Sequence, residues 1–293
     1  MKTKDWIKFI FIGLVWGSTF MWVKLGIREV GPFTIVMYRS FFATIALWFV
    51  LKYKKMNQFP KEYIGIFFVM GLLNAALPFA LVAWSEKYIS SGMASILNST
   101  VPFFALIISP FFLSDEKITI LKFLGLLLGF GGVILLMSNK VSEKFGSFGI
   151  GQILMLLAAI SYAFATVYAR KKAPKLESEW QSFLQMASAF IILLPASIIM
   201  EGGFVIPKMP LTWLAAVWMG VIGSCLALTL FFDLLHRVGP TRTSMVAYLF
   251  PVTGVILGIL FLKEPFDVRV ILAGVMILGG VIMVNQPETK VQV

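Results

Sequence analysis

Arg39 is the residue whose presence packing explains least. It lies inside the apolar run PFTIVMYRSFFATIALWFVLKY. Counted from Pro32 at about 1.5 Å per residue, a helix puts it roughly 10 Å below a bilayer surface. A cation at that depth is costly, and it ordinarily faces a cavity or a polar partner. Two readings stand. The guanidinium binds an anionic group such as a substrate carboxylate, or it ties neighbouring helices together through their carbonyls.

Other polar and aromatic side chains interrupt the neighbouring apolar runs: Trp16, Ser18, Asn74, Trp84, Asn98, Ser161, Tyr162, Gln185 and Tyr248. Aromatic surface with a few polar groups suits an amphipathic organic ligand, although each residue is also compatible with core packing. Pro102 and Pro251 fall in mid-run, where a proline frees backbone carbonyls that a neighbour or a cavity must satisfy. They are expected to form a paired pocket and hinge, the alternative being two kinked structural helices. Asp233 could carry a coupling proton, but its closeness to His236 and Arg237 favours an interfacial ion pair. Glu116 and Glu264 read as helix-end charges beside Lys117 and Lys263.

Chemistry of other kinds lacks its residues. Cys225 is the single cysteine and His236 the single histidine, which leaves no HExxH, no CxxC and no cysteine cluster for a metal. No phosphate-cradling glycine loop is present, and no nucleophile–base pair or pair of acids lies within the runs. An enzyme is therefore not expected, nor a cofactor.

The elements that position these residues are membrane helices. Hydrophobic residues make up 59% of the 293-residue chain, charged residues 13%, and the mean hydropathy is +0.91. Soluble domains carry about 25% charge. The runs are continuously apolar and long enough to cross a bilayer, for which roughly 20 residues suffice, and they do not alternate as barrel strands would. Ten spans are expected, at 6–26, 32–51, 62–83, 91–113, 119–138, 148–169, 180–200, 211–235, 242–262 and 268–285. The first run, behind MKTKDW, reads as a span and not as a removed leader. The net charge of +11 belongs to short loops, so nucleic acid is not the expected partner. Sixteen Lys and Arg fall on the side of the N-terminus and eight on the other, which places both termini in the cytoplasm.

The chain also repeats itself. Pro102 meets Pro251 at an offset of 149, as Ser95 meets Ser244, and GLLNAALPFALVAW overlies GVIGSCLALTLFFD at the same offset. Further upstream the offset is 146: Trp16 meets Tyr162, Lys24 meets Arg170, and Arg39 meets Gln185. The halves run over 1–140 and 146–286. Five spans in each would give the second copy the opposite orientation, the pattern of carriers with a midplane site between repeats.

The run Trp16-Gly17-Ser18-Thr19-Phe20, the two copies of small-polar residue, Pro, apolar run and Glu, and the glycine-rich helices that follow (Gly125, Gly129, Gly131, Gly132; Gly274, Gly279, Gly280) resemble the EamA-type members of the drug/metabolite transporter superfamily. The likeness covers nearly the whole chain. It implies a multi-pass protein of ten helices in a prokaryotic cytoplasmic membrane, with a central cavity, exporting small organic metabolites such as amino acids. Coupling to protons or to the substrate gradient is implied in the same way. Within that cavity Trp16, Ser18, Arg39, Asn74, Trp84, Asn98, Pro102, Tyr162, Gln185, Tyr248 and Pro251 are the expected substrate-binding residues. Two features depart from the pattern: Asp233, and the weakening of the first-helix motif to Tyr162-Ala163-Phe164-Ala165 in the second half. A lipid-linked flippase is the alternative carrier, and an intramembrane enzyme the alternative of another class.

Overall fold

In lipid a backbone must satisfy its own hydrogen bonds, and runs this apolar can do so only as helices. The computed structural model describes residues 1–56, 58–89, 91–114, 118–141, 149–173, 175–203, 205–253, 257 and 268–285, and among them every regular element is helical. Six helices are long and apolar enough to cross a membrane. They are α1 (Thr3–Gly26), α2 (Pro32–Tyr53), α3 (Lys61–Ser85), α7 (Ile150–Lys172), α8 (Ser178–Glu201) and α9 (Pro210–Val238). Between and after them come α4 (Ser91–Asn98), α5 (Val101–Phe112), α6 (Ile120–Val141), α10 (Pro240–Ser244) and α11 (Val268–Asn285). The protein is thus an all-helical, multi-pass membrane protein. Its exposed surface carries large apolar side chains such as Phe49, Phe111, Ile199 and Val275, as a lipid-facing surface must.

Two helices are not regular throughout. A π-helical segment, Leu72–Ala76, interrupts α3, and another, Trp218–Leu226, interrupts α9. In α3 the cause is Pro78, which has no N–H to return to the preceding turn and whose ring crowds it. The freed carbonyl of Leu73 accepts a bond from Ser161 Oγ of α7 at 2.5 Å. In α9 the carbonyl of Gly223 accepts from Trp16 Nε1 of α1 at 2.7 Å. Leu72–Ala76 and the stretch 221–225 within the second segment are 149 apart, the offset found in the sequence.

A second pair of irregularities sits farther along. The chain turns at Ser99 and Thr100 between α4 and α5, and α10 passes into a 3-10 turn, Met245–Tyr248, before helix resumes at 249–253. The two breaks meet, Ser99 Oγ donating to the carbonyl of Ala247 at 3.0 Å. Pro102 therefore stands in the first turn of α5, where its missing N–H costs nothing, and the ladder is broken just before it, not at the proline. Pro251 likewise follows the 3-10 turn. Glu116, Glu264, Gly254 and Gly258 lie outside the described residues.

The packing pairs α2 with α8, α6 with α11, α3 with α8 and α9 with α2. Small residues set the closest approaches. A Cβ on Gly71 of α3 would strike Ser188 and come 2.9 Å from Ala189 N and 3.1 Å from Gln185 O in α8. A Cβ on Gly220 of α9 would come 2.6 Å from Phe42 Cβ, 2.9 Å from Arg39 O and 3.1 Å from Ala43 N in α2. These are the same contact made twice, since the residues on both sides are repeat partners.

Polar fastenings mark the two ends of the bundle. At the end where α1 begins, the near end, Asp233 pairs with Lys8 and Arg237, and Lys54 pairs with Glu179. At the far end the carboxylate of Glu201 caps α2, accepting from Phe33 N at 2.7 Å and Thr34 N at 3.1 Å. Glu29 accepts from Met209 N at 2.9 Å at the start of α9.

Candidate functional site

The two irregular helices and the two broken ones surround a cavity of about 100 Å³, lined by α1, α2, α3, α7, α9 and the break regions of α4 and α10. That is several times the space of roughly 10–15 Å³ in which a single water fits on the same measure. Most of its wall is aromatic or aliphatic: Trp16, Phe20, Phe79, Phe231, Phe250 and several valines. Arg39, Asn74, Asn98, Tyr162, Thr19, Thr166, Ser224 and Ser244 supply the polar groups.

Arg39 is 6% exposed. Its Nε donates to Ser224 Oγ at 2.8 Å, and its Cζ stands 3.8 Å from the centroid of the Phe79 ring. Tyr162 lies on the same side, its ring centroid 6.4 Å from that of Phe79. Among the described residues no carboxylate pairs with the guanidinium, and its two Nη groups make no hydrogen bond. A buried cation is ordinarily accompanied by an anion or by a full set of acceptors. Here the aromatic face and one hydroxyl hold the side chain, and the outer edge of its fork is unspent.

The position related to Arg39 by the repeat is Gln185. It receives a bond from Asn74 Nδ2 on its Oε1 at 3.0 Å, while its own Nε2 is buried without a partner. Arg39 with Ser224 of α9 and Gln185 with Asn74 of α3 are thus two versions of one cross-link, each reaching a π-helical segment. Trp16 spends its N–H on Gly223 and presents its ring to Phe231 at 5.1 Å and to Phe250 at 6.5 Å. Asn98 Oδ1 is buried with no donor. Tyr162 makes no side-chain hydrogen bond among the described residues, so its hydroxyl is available to a ligand.

Five of the residues expected from the sequence therefore come together on the wall: Trp16, Arg39, Asn74, Asn98 and Tyr162. Gln185 stands behind Asn74. Ser18 bonds its own helix at Val15 O, and Trp84 packs edge-on against Phe33. Tyr248 is fully buried away from the cavity, its hydroxyl on Leu126 O at 3.0 Å and its ring against Gly129. Pro102 and Pro251 are buried but do not line the cavity. Thr19, Phe79, Thr166, Ser224, Phe231 and Phe250 also line the cavity and are not among the residues expected from the sequence. Ser224 had a signal, since it adjoins the repeat partner of Asn74. The phenylalanines had none, in a chain that carries 28 of them.

Asp233 faces Lys8 and Arg237 at the near end, outside this cavity. His236 takes part instead in a separate knot, with Gln181 on its ring and Arg170 on its carbonyl. Among the described residues no three His, Cys, Asp or Glu side chains gather as metal ligands.

Known proteins resemble this one along its whole length. YoaV of Bacillus subtilis, an uncharacterised transporter, is 26% identical over 94% of each chain. An uncharacterised transporter of Archaeoglobus fulgidus is 26% identical over 98% of this chain and 99% of its own. YedA of Escherichia coli, an uncharacterised inner membrane transporter, is 28% identical over 84% of this chain and 78% of its own. A solved crystal structure at 16% identity shares the fold with a TM-score of 0.75 over 97% of both chains. The EamA-like transporter family matches twice, over residues 5–138 and 149–286, and the chain belongs to that family.

Proposed function

We propose that the protein is a secondary transporter that exports small organic metabolites, amino acids or related compounds, by alternating access around the central cavity. The observation that carries this reading is the Arg39 guanidinium, buried beside an aromatic wall with no anion and with its outer nitrogens unspent. An incoming carboxylate would complete it, and the phenylalanines would receive an apolar body. Tyr162 can donate a further bond to the anion. Asn74 and Asn98 offer acceptors to a donor group on the ligand. Ser18, Trp84, Gln185, Tyr248, Pro102 and Pro251 act from behind the wall, holding the helices that carry it.

The proposed architecture is ten spans in two inverted halves, 1–140 and 146–286, with the near end and both termini in the cytoplasm. The charge bias supports the orientation. The repeated glycine contacts, π-helical segments and broken helices support the duplication, because each recurs between partner positions. Transport then consists of the two halves rocking about the α2–α8 seam, with the crossing of broken helices at Ser99 and Ala247 as the flexible point. Proton coupling belongs to the same proposal.

The test is transport in proteoliposomes with a panel of amino acids, organic acids and aromatic cations, with and without an imposed pH gradient. Saturable uptake of carboxylate-bearing compounds is expected. A hydrogen bond to a charged group is worth about 1.5–3 kcal/mol, so Arg39→Gln should weaken apparent affinity roughly ten- to hundredfold while the protein stays folded. Selective uptake of cations, or carboxylate uptake unchanged in that variant, refutes the reading.

A further inference from the structure

Glu86 is the first residue beyond α3, at the far end of the bundle, and its side chain is completely buried. Both carboxyl oxygens are buried without a hydrogen-bond partner among the described residues. A carboxylate in that state lacks both water and a counter-charge in contact, which strongly disfavours ionisation. Among the described residues the charge that faces it is Lys24 of α1, yet Lys24 Nζ bonds backbone carbonyls instead, that of Glu86 itself and that of Ile89 at 3.1 Å. From the other side α7 closes over the turn, Ser85 Oγ donating to Gly151 O at 2.8 Å, and the first turns of α7 itself carry no charged residue. Lys87 and Tyr88 on the same turn are exposed.

The position in the bundle gives this group its meaning. Val23 of α1 and Val82 of α3 line the cavity, and Lys24 and Glu86 stand immediately outside them. Lys24 therefore straps α1 to the end of α3 across the far side of the cavity. An opening toward that end that separated α1 from α3 would part the strap and admit water to Glu86.

We propose that Glu86 is a proton-binding site that couples the far-end opening of the cavity to pH, binding its proton when the strap is closed and releasing it when the strap opens. The proposal rests on the cavity described above and, for the side involved, on the far end facing outward. On opening, the carboxyl O–H bond breaks, the proton passes to water at the far end, and the carboxylate left behind is hydrated and can pair with the freed Lys24 ammonium. In the closed state burial holds the carboxyl well above the ordinary carboxylate range, against the opposing pull of Lys24. In the open state it returns toward the usual value of about 4.3. The closed form thus binds the proton more tightly, so low pH favours closure and rising pH favours opening. Between the two values, one released proton shifts the opening equilibrium by about tenfold per pH unit.

The test reads opening directly and needs no known substrate. Val82→Cys is placed in a Cys225→Ser background, and its reaction with a membrane-impermeant maleimide is followed from about pH 5 upward, beyond the ordinary carboxylate range. Tyr88→Cys, exposed at the same end, corrects for thiol ionisation. The reagent is offered to one face at a time, in right-side-out and in inverted vesicles. The corrected rate should rise with pH from the face bearing the far end, Glu86→Gln should flatten it at the low-pH level, and Glu86→Asp should keep the slope. A flat profile with Glu86 in place overturns the proposal without recourse to any variant, as does an equal slope in Glu86→Gln. A slope confined to inverted vesicles upholds the proton site and overturns the outward assignment of the far end. A chain that transports none of the offered compounds still answers the test, so the two readings fail separately.

Discussion

Gly71→Ala tests how tight the seams are between the irregular helices and the α2–α8 pair. In an ordinary helix the substitution helps, since alanine is favoured over glycine by about 0.5–1 kcal/mol. At Gly71 the added methyl meets Ser188 Cβ, and the next neighbours are backbone atoms, Ala189 N at 2.9 Å and Gln185 O at 3.1 Å. A side chain can rotate aside, but the backbone of α8 must move as a body, and overpacking of that kind costs about 1–3 kcal/mol. Gly65, six residues earlier in α3, has nothing within 4 Å of its Cβ position. The difference between Gly71→Ala and Gly65→Ala therefore isolates the clash from the helix preference. Thermal unfolding in detergent should place Gly65→Ala at or above the parent and Gly71→Ala several degrees below it. Gly220→Ala should behave as Gly71→Ala does, because its methyl meets Phe42 and the backbone of Arg39 and Ala43. It should also lower transport, since pushing α9 off α2 draws Ser224 away from Arg39. Unfolding of Gly71→Ala at or above the Gly65→Ala temperature would refute the packing argument.

Three further outcomes are expected. Trp16→Phe and Ser161→Ala each strand a carbonyl of a π-helical segment, at about 1–3 kcal/mol apiece, and because the two bonds share no partner their unfolding costs should add; strong non-additivity refutes their independence. Tyr248→Phe should lower stability by about 1 kcal/mol and leave the KM of transport unchanged, whereas a raised KM would return Tyr248 to the binding wall. Asp233→Asn should change stability by less than about 1 kcal/mol, because its pairs with Lys8 and Arg237 are part-exposed, and should leave the pH response of transport intact; loss of that response would make Asp233 the coupling acid instead.

The sequence made position along each helix legible and direction around each helix much less so. Length and apolarity placed the six long spans to within a few residues, and the repeat offsets relate the contact of Gly71 with α8 to that of Gly220 with α2. Arg39, Asn74, Asn98, Trp16 and Tyr162 were legible because a polar or amphipathic group inside an apolar run has few inexpensive places to go. A helix that is apolar all round gives no periodicity to separate lipid, neighbour and cavity. Tyr248 accordingly reads as a site residue although it turns toward α6, and Phe79 gives no signal although it lies under Arg39. The π-helical segments were hidden for a related reason, since the carbonyls they free are answered from other helices by Ser161 and Trp16. Glu86 is the extreme case. Beside Lys87, at the edge of an apolar run, it reads as an ordinary loop charge, and nothing local distinguishes it from Glu62 at the other end of the same helix. Glu62 is exposed, while Glu86 is covered by the docking of α1 through Lys24 and of α7 through Gly151. The cost of a charge at a span end is therefore set by the helices that arrive over it, and a carboxyl buried in this way becomes a proton site only if those helices can part.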